Sequence, residues 1–255
     1  MARTTSGYMG IVVGRSLEQF SAETRADLIK KLERHALSQE PEFFGYDGAR
    51  TRFLRLFPGG LADPRFIGEA KSGGWGELAY KREMSARLRR DLPLEQALAD
   101  GAGAAPILRA FDCRDLIDWR EKDKLDRVLE GPRATSMVET LVRFAIGDAA
   151  WACDTLRSEH ADDGLATWPV LTGFAFLWDP DRHALLRPEA AQHYARRVGH
   201  PLLVRYRSPP NPETYALYLD MLDETRRAIS DLGPVDYIDL QSLAWVVSKY
   251  PEPAA

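Results

Sequence analysis

WPVLTGFAFLW, Trp168 to Trp178, is the longest nearly apolar run in the chain. It is far shorter than the ~20 residues needed to span a bilayer. Its aromatic and β-branched side chains do not suit a surface helix, so we read it as extended. The residues that follow agree with this: DPDRH (179–183) is a turn, HALLRP (183–188) a returning strand and PLLVRYR (201–207) another. Strands are therefore expected near residues 168–206, with a second group near 50–70.

Outward from that centre the sequence is helical. In NPETYALYLDMLDETRRAISDLG (211–233), Asn211 is the N-cap, Pro212 takes the first helical position and Gly233 follows the end. PEAAQHYARRVG (188–199) is bracketed in the same way by proline and glycine. DYIDLQSLAWVV (236–247) is apolar almost all round and should be buried. In the first half, SLEQFSAETRADLIKKLERHAL (16–37) places Leu17, Phe20, Leu28, Leu32 and Leu37 near one face, with Ser16 and Gln19 as a capping box. TRFLRLF (51–57) alternates, as a strand or extended segment does, and PGG (58–60) is a turn. GELAYKREMSARLRRDL (76–92) and DLIDWREKDKLDRVLEG (115–131) read as helices. TSMVETLVRFAIGDAAWACDTLRSE (135–159) reads as one core helix opened by Ser136 and Glu139. The polar loop EHADDGLAT (159–167) is a candidate boundary. The expected fold is α+β and mainly α-helical, with a few short strands near residues 50–70 and 168–206. Residues 1–160 form a mainly helical part and 161–255 an α+β part, or the two form one continuous domain.

The chain has 255 residues, 45% hydrophobic and 28% charged, with a net charge of −4. That balance fits a globular protein and argues against a general nucleic-acid coat, while leaving room for a local basic patch. Cys113 and Cys153 belong to no C-x-x-C, so neither a disulfide framework nor a thiolate zinc site is expected, and a cytoplasmic location fits. No signal-peptide h-region opens the sequence.

DPRFIGEAKSGG (63–74) contains Glu69 and Lys71 in the E-x-K spacing of metal-dependent nucleases. On a strand the two share a face, where a carboxylate holds Mg2+ and the ammonium orients water. The nearest second carboxylate, Asp63, would lie roughly 20 Å away along the same strand. A solvated pair is therefore the simpler reading. Trp75, between glycines, is a candidate interaction residue. The other tryptophans, Trp119, Trp151, Trp168, Trp178 and Trp245, read as core anchors.

Residues 190–212 lack any acidic side chain. They carry Arg196, Arg197, Arg205 and Arg207 beside Tyr194 and Tyr206, with Arg182 and Arg187 just upstream. Guanidinium groups bind phosphate and tyrosines stack on bases, so this is the strongest nucleic-acid signal. The plainer reading pairs these arginines with the acidic helix around Asp220–Glu224. A second basic run, KREMSARLRR (81–90), includes Lys81 and reads as a solvated helix face offset by Glu77 and Glu83. No phosphate-loop, dinucleotide or nucleophile-elbow motif is present, and the five histidines show no metal-binding spacing.

WPVLTGFAFLWDPDRHALLRP, PNPETYALYLDMLDE and GPVDYIDLQSLAWVV together resemble a widespread group of bacterial proteins of unassigned function. That group tends to carry WPV-T-F-FL, PDRH-F-KP, PN-x-x-TY and IDVQSFIWVV patterns. The resemblance extends to FPGG-x-x-DPRF and covers most of the chain. It departs at Arg187, usually lysine, and at Leu243-Ala244, usually Phe-Ile. It brings no catalytic residue and leans the expectation towards phage defence. Within the pattern, Arg182, His183, Arg187, Tyr215 and Asp239 are candidates to line a pocket for an anion, with Gln241 beside them. The plainer alternative is that Asp239 and Gln241 tie the last helix to the PDRH turn, because a polar group buried there must be bonded.

The leading expectation is a nucleic-acid-associated accessory component that contacts DNA or RNA through the basic segment. One alternative is a phosphodiesterase using Glu69, Lys71 and Mg2+. Another is a non-catalytic subunit docking a protein or a second copy through Trp75. No other cofactor and no membrane contact are expected.

Overall fold

The computed structural model describes residues 2–4, 7–13, 17–68 and 76–251. The fold is mainly helical α+β, with its strands at the N-terminal end. Strands β1 (Ala2–Thr4), β2 (Gly7–Val13) and β3 (Leu17–Ala22) form an antiparallel sheet in the order β1-β2-β3. Gly10 stands opposite Phe20, and Tyr8 opposite Ala22. The sheet packs on the helix Arg25–Leu37, where a Cβ on Gly10 would come 3.0 Å from Leu32 Cδ1. The helix expected over 16–37 is thus a strand followed by a helix. Gln19 lies in β3, and Thr24 is the cap, its hydroxyl accepting from Asp27 N at 3.1 Å.

The two expected strand regions hold helices instead. TRFLRLF belongs to the helix Gly45–Leu56 and its C-cap Phe57. Burial there does not alternate: Arg52 is buried next to Phe53, donating to Val247 O at 3.1 Å and Tyr250 O at 2.6 Å. Phe53 and Phe57, four residues apart, pack ring to ring at 5.6 Å and both meet Phe66.

WPVLTGFAFLW is the helix Trp168–Trp178, with Pro169 in its first turn and every residue from Val170 to Trp178 buried. A helix apolar on all sides is a core helix, and its β-branched members do not make it a strand. Its Thr172 hydroxyl donates to Trp168 O at 2.7 Å and accepts from Leu186 N at 3.1 Å. Tyr215 Oη accepts from Ala184 N at 3.0 Å. Buried backbone groups need partners, and here side-chain hydroxyls supply them, so 183–187 runs extended without a ladder. PLLVRYR makes only the short turn Leu202–Arg205.

The helix expected over 135–159 is broken. Gly147, at φ +105°, ends Ala134–Ile146, and Asp148 opens Ala149–Glu159. A left-handed residue after a helix favours glycine. Ser136 lies inside the first turn rather than at the cap, and its hydroxyl donates to Glu159. The C-terminal helices Pro188–Val198, Pro212–Ala228 and Tyr237–Lys249 match their sequence signals, with Asn211 Oδ1 accepting from Thr214 N at 2.8 Å. One hydrophobic cluster runs from Ala49 to Val247 through both halves of the chain.

Candidate ligand cleft

Three elements converge on one cleft: the helix Ala79–Asp91, the extended 183–187 segment and the helix Tyr237–Lys249. Lys81, expected on a solvated face, has a side chain only 2% exposed. Its ammonium has three hydrogens and meets three acceptors: Glu77 Oε2 at 3.2 Å, Gln241 Oε1 at 3.0 Å and Ser242 Oγ at 2.8 Å. Glu77 Oε1 in turn accepts from Tyr250 Oη at 2.7 Å. Burial pushes the Lys81 amine down to about 8, with Glu77 opposing. The amine is still charged at neutral pH, and the Glu77 to Lys81 spacing is the i,i+4 pair that the sequence suggested.

Arg82, next along, donates to Asp236 at 2.9 Å and to Asp239. Asp239 also accepts from Val235 N at 2.8 Å. Asp239 and Gln241 therefore tie the last helix to the helix Ala79–Asp91, not to the PDRH turn. That turn meets the last helix through the backbone, Tyr237 N donating to Pro180 O at 2.9 Å.

Arg187 leaves the extended segment just before Pro188 opens the next helix. Its guanidinium lies 4.8 Å from the Trp245 ring centroid and donates to Asp115 O. Among the described residues no carboxylate pairs with it. A cavity of about 420 Å3 opens between Arg187, Lys81, Tyr80, Trp245, Glu77 and Gln241. A neighbouring cavity of about 480 Å3 shares Asp115, Arg187 and Trp245. The cleft thus has two cations, Lys81 and Arg187, two acidic residues, Glu77 and Asp115, and two aromatic walls; Glu77 is taken up by Lys81, while Arg187 is held by the Asp115 backbone oxygen rather than by a carboxylate. Trp245, expected in the core, is half-buried because it forms one of those walls; Trp119 is exposed and Trp151 half-buried.

The other expected pocket members lie elsewhere. His183 and Tyr215 are buried together, with rings stacked at 6.3 Å and His183 Nε2 facing Ala145 O at 2.9 Å. Burial lowers the His183 pKa. Arg182 pairs with Asp179 and donates to Ala145 O at 3.2 Å. Neither His183 nor Tyr215 lines the cleft.

In the basic segment the arginines face glutamates from the N-terminal half rather than the acidic helix. Arg205 is bidentate to Glu33 at 2.8 Å, Arg196 meets Glu40 at 3.7 Å and Arg197 meets Glu42 at 3.7 Å. Arg207 is exposed and pairs with no carboxylate among the described residues. Tyr194 is wholly buried, its hydroxyl 2.9 Å from Thr225 Oγ1, so it has no free face for a base. Tyr206 is half-buried. Glu69, Lys71 and Trp75 lie outside the described residues.

His200, Asp220 and Glu224 come close enough to suggest a metal site. The imidazole argues against it. Its Nδ1 accepts from Leu202 N at 3.1 Å, so the neutral ring carries its proton on Nε2, which faces Asp220 at 3.3 Å. A metal on Nε2 needs the opposite tautomer. Glu224 is also paired with Arg34.

The sequence matches no family model and no curated protein, and the fold matches no solved structure. The cleft geometry therefore carries the functional reading.

Proposed function

We propose that this chain binds a small anionic ligand, a carboxylate or phosphate borne on a flat body, in the cleft between Arg187 and Lys81. The observation that carries the reading is Arg187. It lines a cleft, is oriented by Trp245 and Asp115 O, and has no carboxylate partner among the described residues. A guanidinium held this way presents its remaining N–H groups to an incoming oxyanion. Lys81 and Glu77, paired with each other, form the floor behind it, while Tyr80 and Trp245 offer faces to a ring. A nucleic-acid backbone along the basic segment would instead have to displace Glu33, Glu40 and Glu42 from Arg205, Arg196 and Arg197.

Calorimetric titration with phenyl phosphate and with inorganic phosphate tests this. Phenyl phosphate should bind more tightly, because it adds a ring for the aromatic walls. Arg187→Ala should weaken it ~10- to 100-fold, the worth of one charge-assisted bond. Trp245→Leu should erase the preference for phenyl phosphate. Wild-type affinity in Arg187→Ala would remove the reading.

A further inference from the structure

A second basic depression lies away from the cleft, where the helix Trp119–Glu130 gives way to the helix Ala134–Ile146. It has a volume of about 400 Å3 and is lined by Lys124, Arg127, Arg133, Gly131 and Asp163, with Val128 at its apolar side. Lys124 and Arg127 are three residues apart on one helical face, so both side chains reach the same space. Among the described residues neither has an ion-pair partner. Arg133 is held in place from behind, donating to Asp163 Oδ1 at 2.6 Å and to Glu159 O at 2.8 Å.

The surrounding backbone shapes the site. Gly164, at φ +68°, turns the 161–164 loop beside Lys124, and a Cβ there would sit 2.6 Å from Lys124 Nζ. Arg133 is the N-cap residue of the 13-residue helix Ala134–Ile146, and Gly131 O, on a residue that lines the depression, accepts from Ala134 N at 3.2 Å. Asp163 is the one carboxylate lining the depression. Its second oxygen is buried and turned inward, 3.7 Å from His160 Nδ1. Three cations against one carboxylate leave a local excess of two positive charges.

We infer that this depression is a second anion site, selective for a compact phosphate-class polyanion of pyrophosphate type. The contrast with the cleft sets the ligand class. No aromatic side chain lines the depression, so it offers nothing to a ring and recognises the anion itself. Two unpaired cations and one oriented guanidinium match the several charged oxygens of a diphosphate better than a single carboxylate.

The test is a pyrophosphate titration at low ionic strength, using the full chain carrying Arg187→Ala so that the cleft is silenced. Binding should remain and should weaken at least 10-fold when Lys124→Gln and Arg127→Gln are added. Circular dichroism and the melting temperature establish that each variant is folded. If the double substitution does not fold, Arg127→Glu alone, on an exposed position, gives the same reading. Absence of binding in Arg187→Ala, or affinity unchanged by the Lys124 and Arg127 substitutions, overturns the inference. The same substitutions in the Arg187 wild type keep the outcome separate from that of the cleft.

Discussion

At the scale of single residues, Lys81 is held on every side. Its ammonium is buried, yet every hydrogen has an acceptor, and the pair with Glu77 joins residues 77–81 to the last helix and Tyr250. Removing one partner of such a pair strands the other charge, at a cost of ~3–5 kcal/mol. Glu77→Ala should therefore destabilise strongly, while Glu77→Gln with Lys81→Met should cost much less than the sum of the single changes, as urea unfolding would show. The pH dependence has a definite sign. The folded amine titrates near 8 against an ordinary value of 10.5. Between those values the unfolded chain holds the proton that the folded chain has released, so stability rises with pH there, and the burial penalty is complete below about 8. Raising the pH from about 7 to about 9.5 should favour wild type over Lys81→Met by about 1–2 kcal/mol, at ~1.4 kcal/mol per unit. A flat or inverted difference would show that Lys81 keeps its ordinary pKa in the fold.

At the scale of elements, the extended 183–187 segment places Arg187, and two hydroxyls hold it. Thr172 accepts from Leu186 N, and Tyr215 from Ala184 N, where a strand would use a neighbouring strand. Thr172→Val keeps the shape and leaves a buried N–H without a partner, a loss of ~1–3 kcal/mol. Thr172→Ser should retain most of the stability, and Arg187-dependent anion affinity should fall with Thr172→Val. Equal stability of the valine and serine variants would mean that Leu186 N finds another acceptor. These elements also mark where reading the sequence succeeded. The helices Pro188–Val198, Pro212–Ala228 and Tyr237–Lys249 announce themselves through local signals: Pro188 and Gly199, Asn211 and Pro212, and an apolar run opened by Asp236. Trp168–Trp178 does not, because a helix buried on all faces loses the periodicity that tells helix from strand. The cleft was legible only in part. Arg187 and Gln241 stood out as polar residues among apolar ones. Lys81 did not, since Glu77 and Lys81 four apart look the same whether the face is wet or dry. Its other partners, Gln241 and Ser242, lie 160 and 161 residues away.

At the scale of the whole molecule, one continuous cluster encloses three of the five histidines. His160, His183 and His200 are each buried, and burial is the leading cause lowering each pKa from 6.5. For His160 the Arg133 charge adds to the effect, while Asp163 and Glu159 oppose it. For His200, Asp220 and Glu224 oppose it without reversing it. The unfolded chain takes up protons near 6.5, and the folded chain does so only at lower pH. The stability contributed by these groups is thus complete above about 6.5 and is lost as pH falls through that value. Each histidine that stays neutral in the fold contributes a slope of up to ~1.4 kcal/mol per pH unit. The carboxylates with lowered values, Asp63, Glu189 and Asp231, act only further into acid, since their ordinary values are 3.8 to 4.5. Between about pH 7 and about pH 5.5 the histidines therefore dominate. Urea midpoints should fall steadily across that window, above the range in which Asp63, Glu189 and Asp231 act. His183→Gln should make the fall shallower, because one proton-excluding site is gone. A midpoint constant from pH 7 to 5.5 would mean that the core admits protons to these rings as readily as water does, contrary to the packing of His183 between Phe144 and Tyr215.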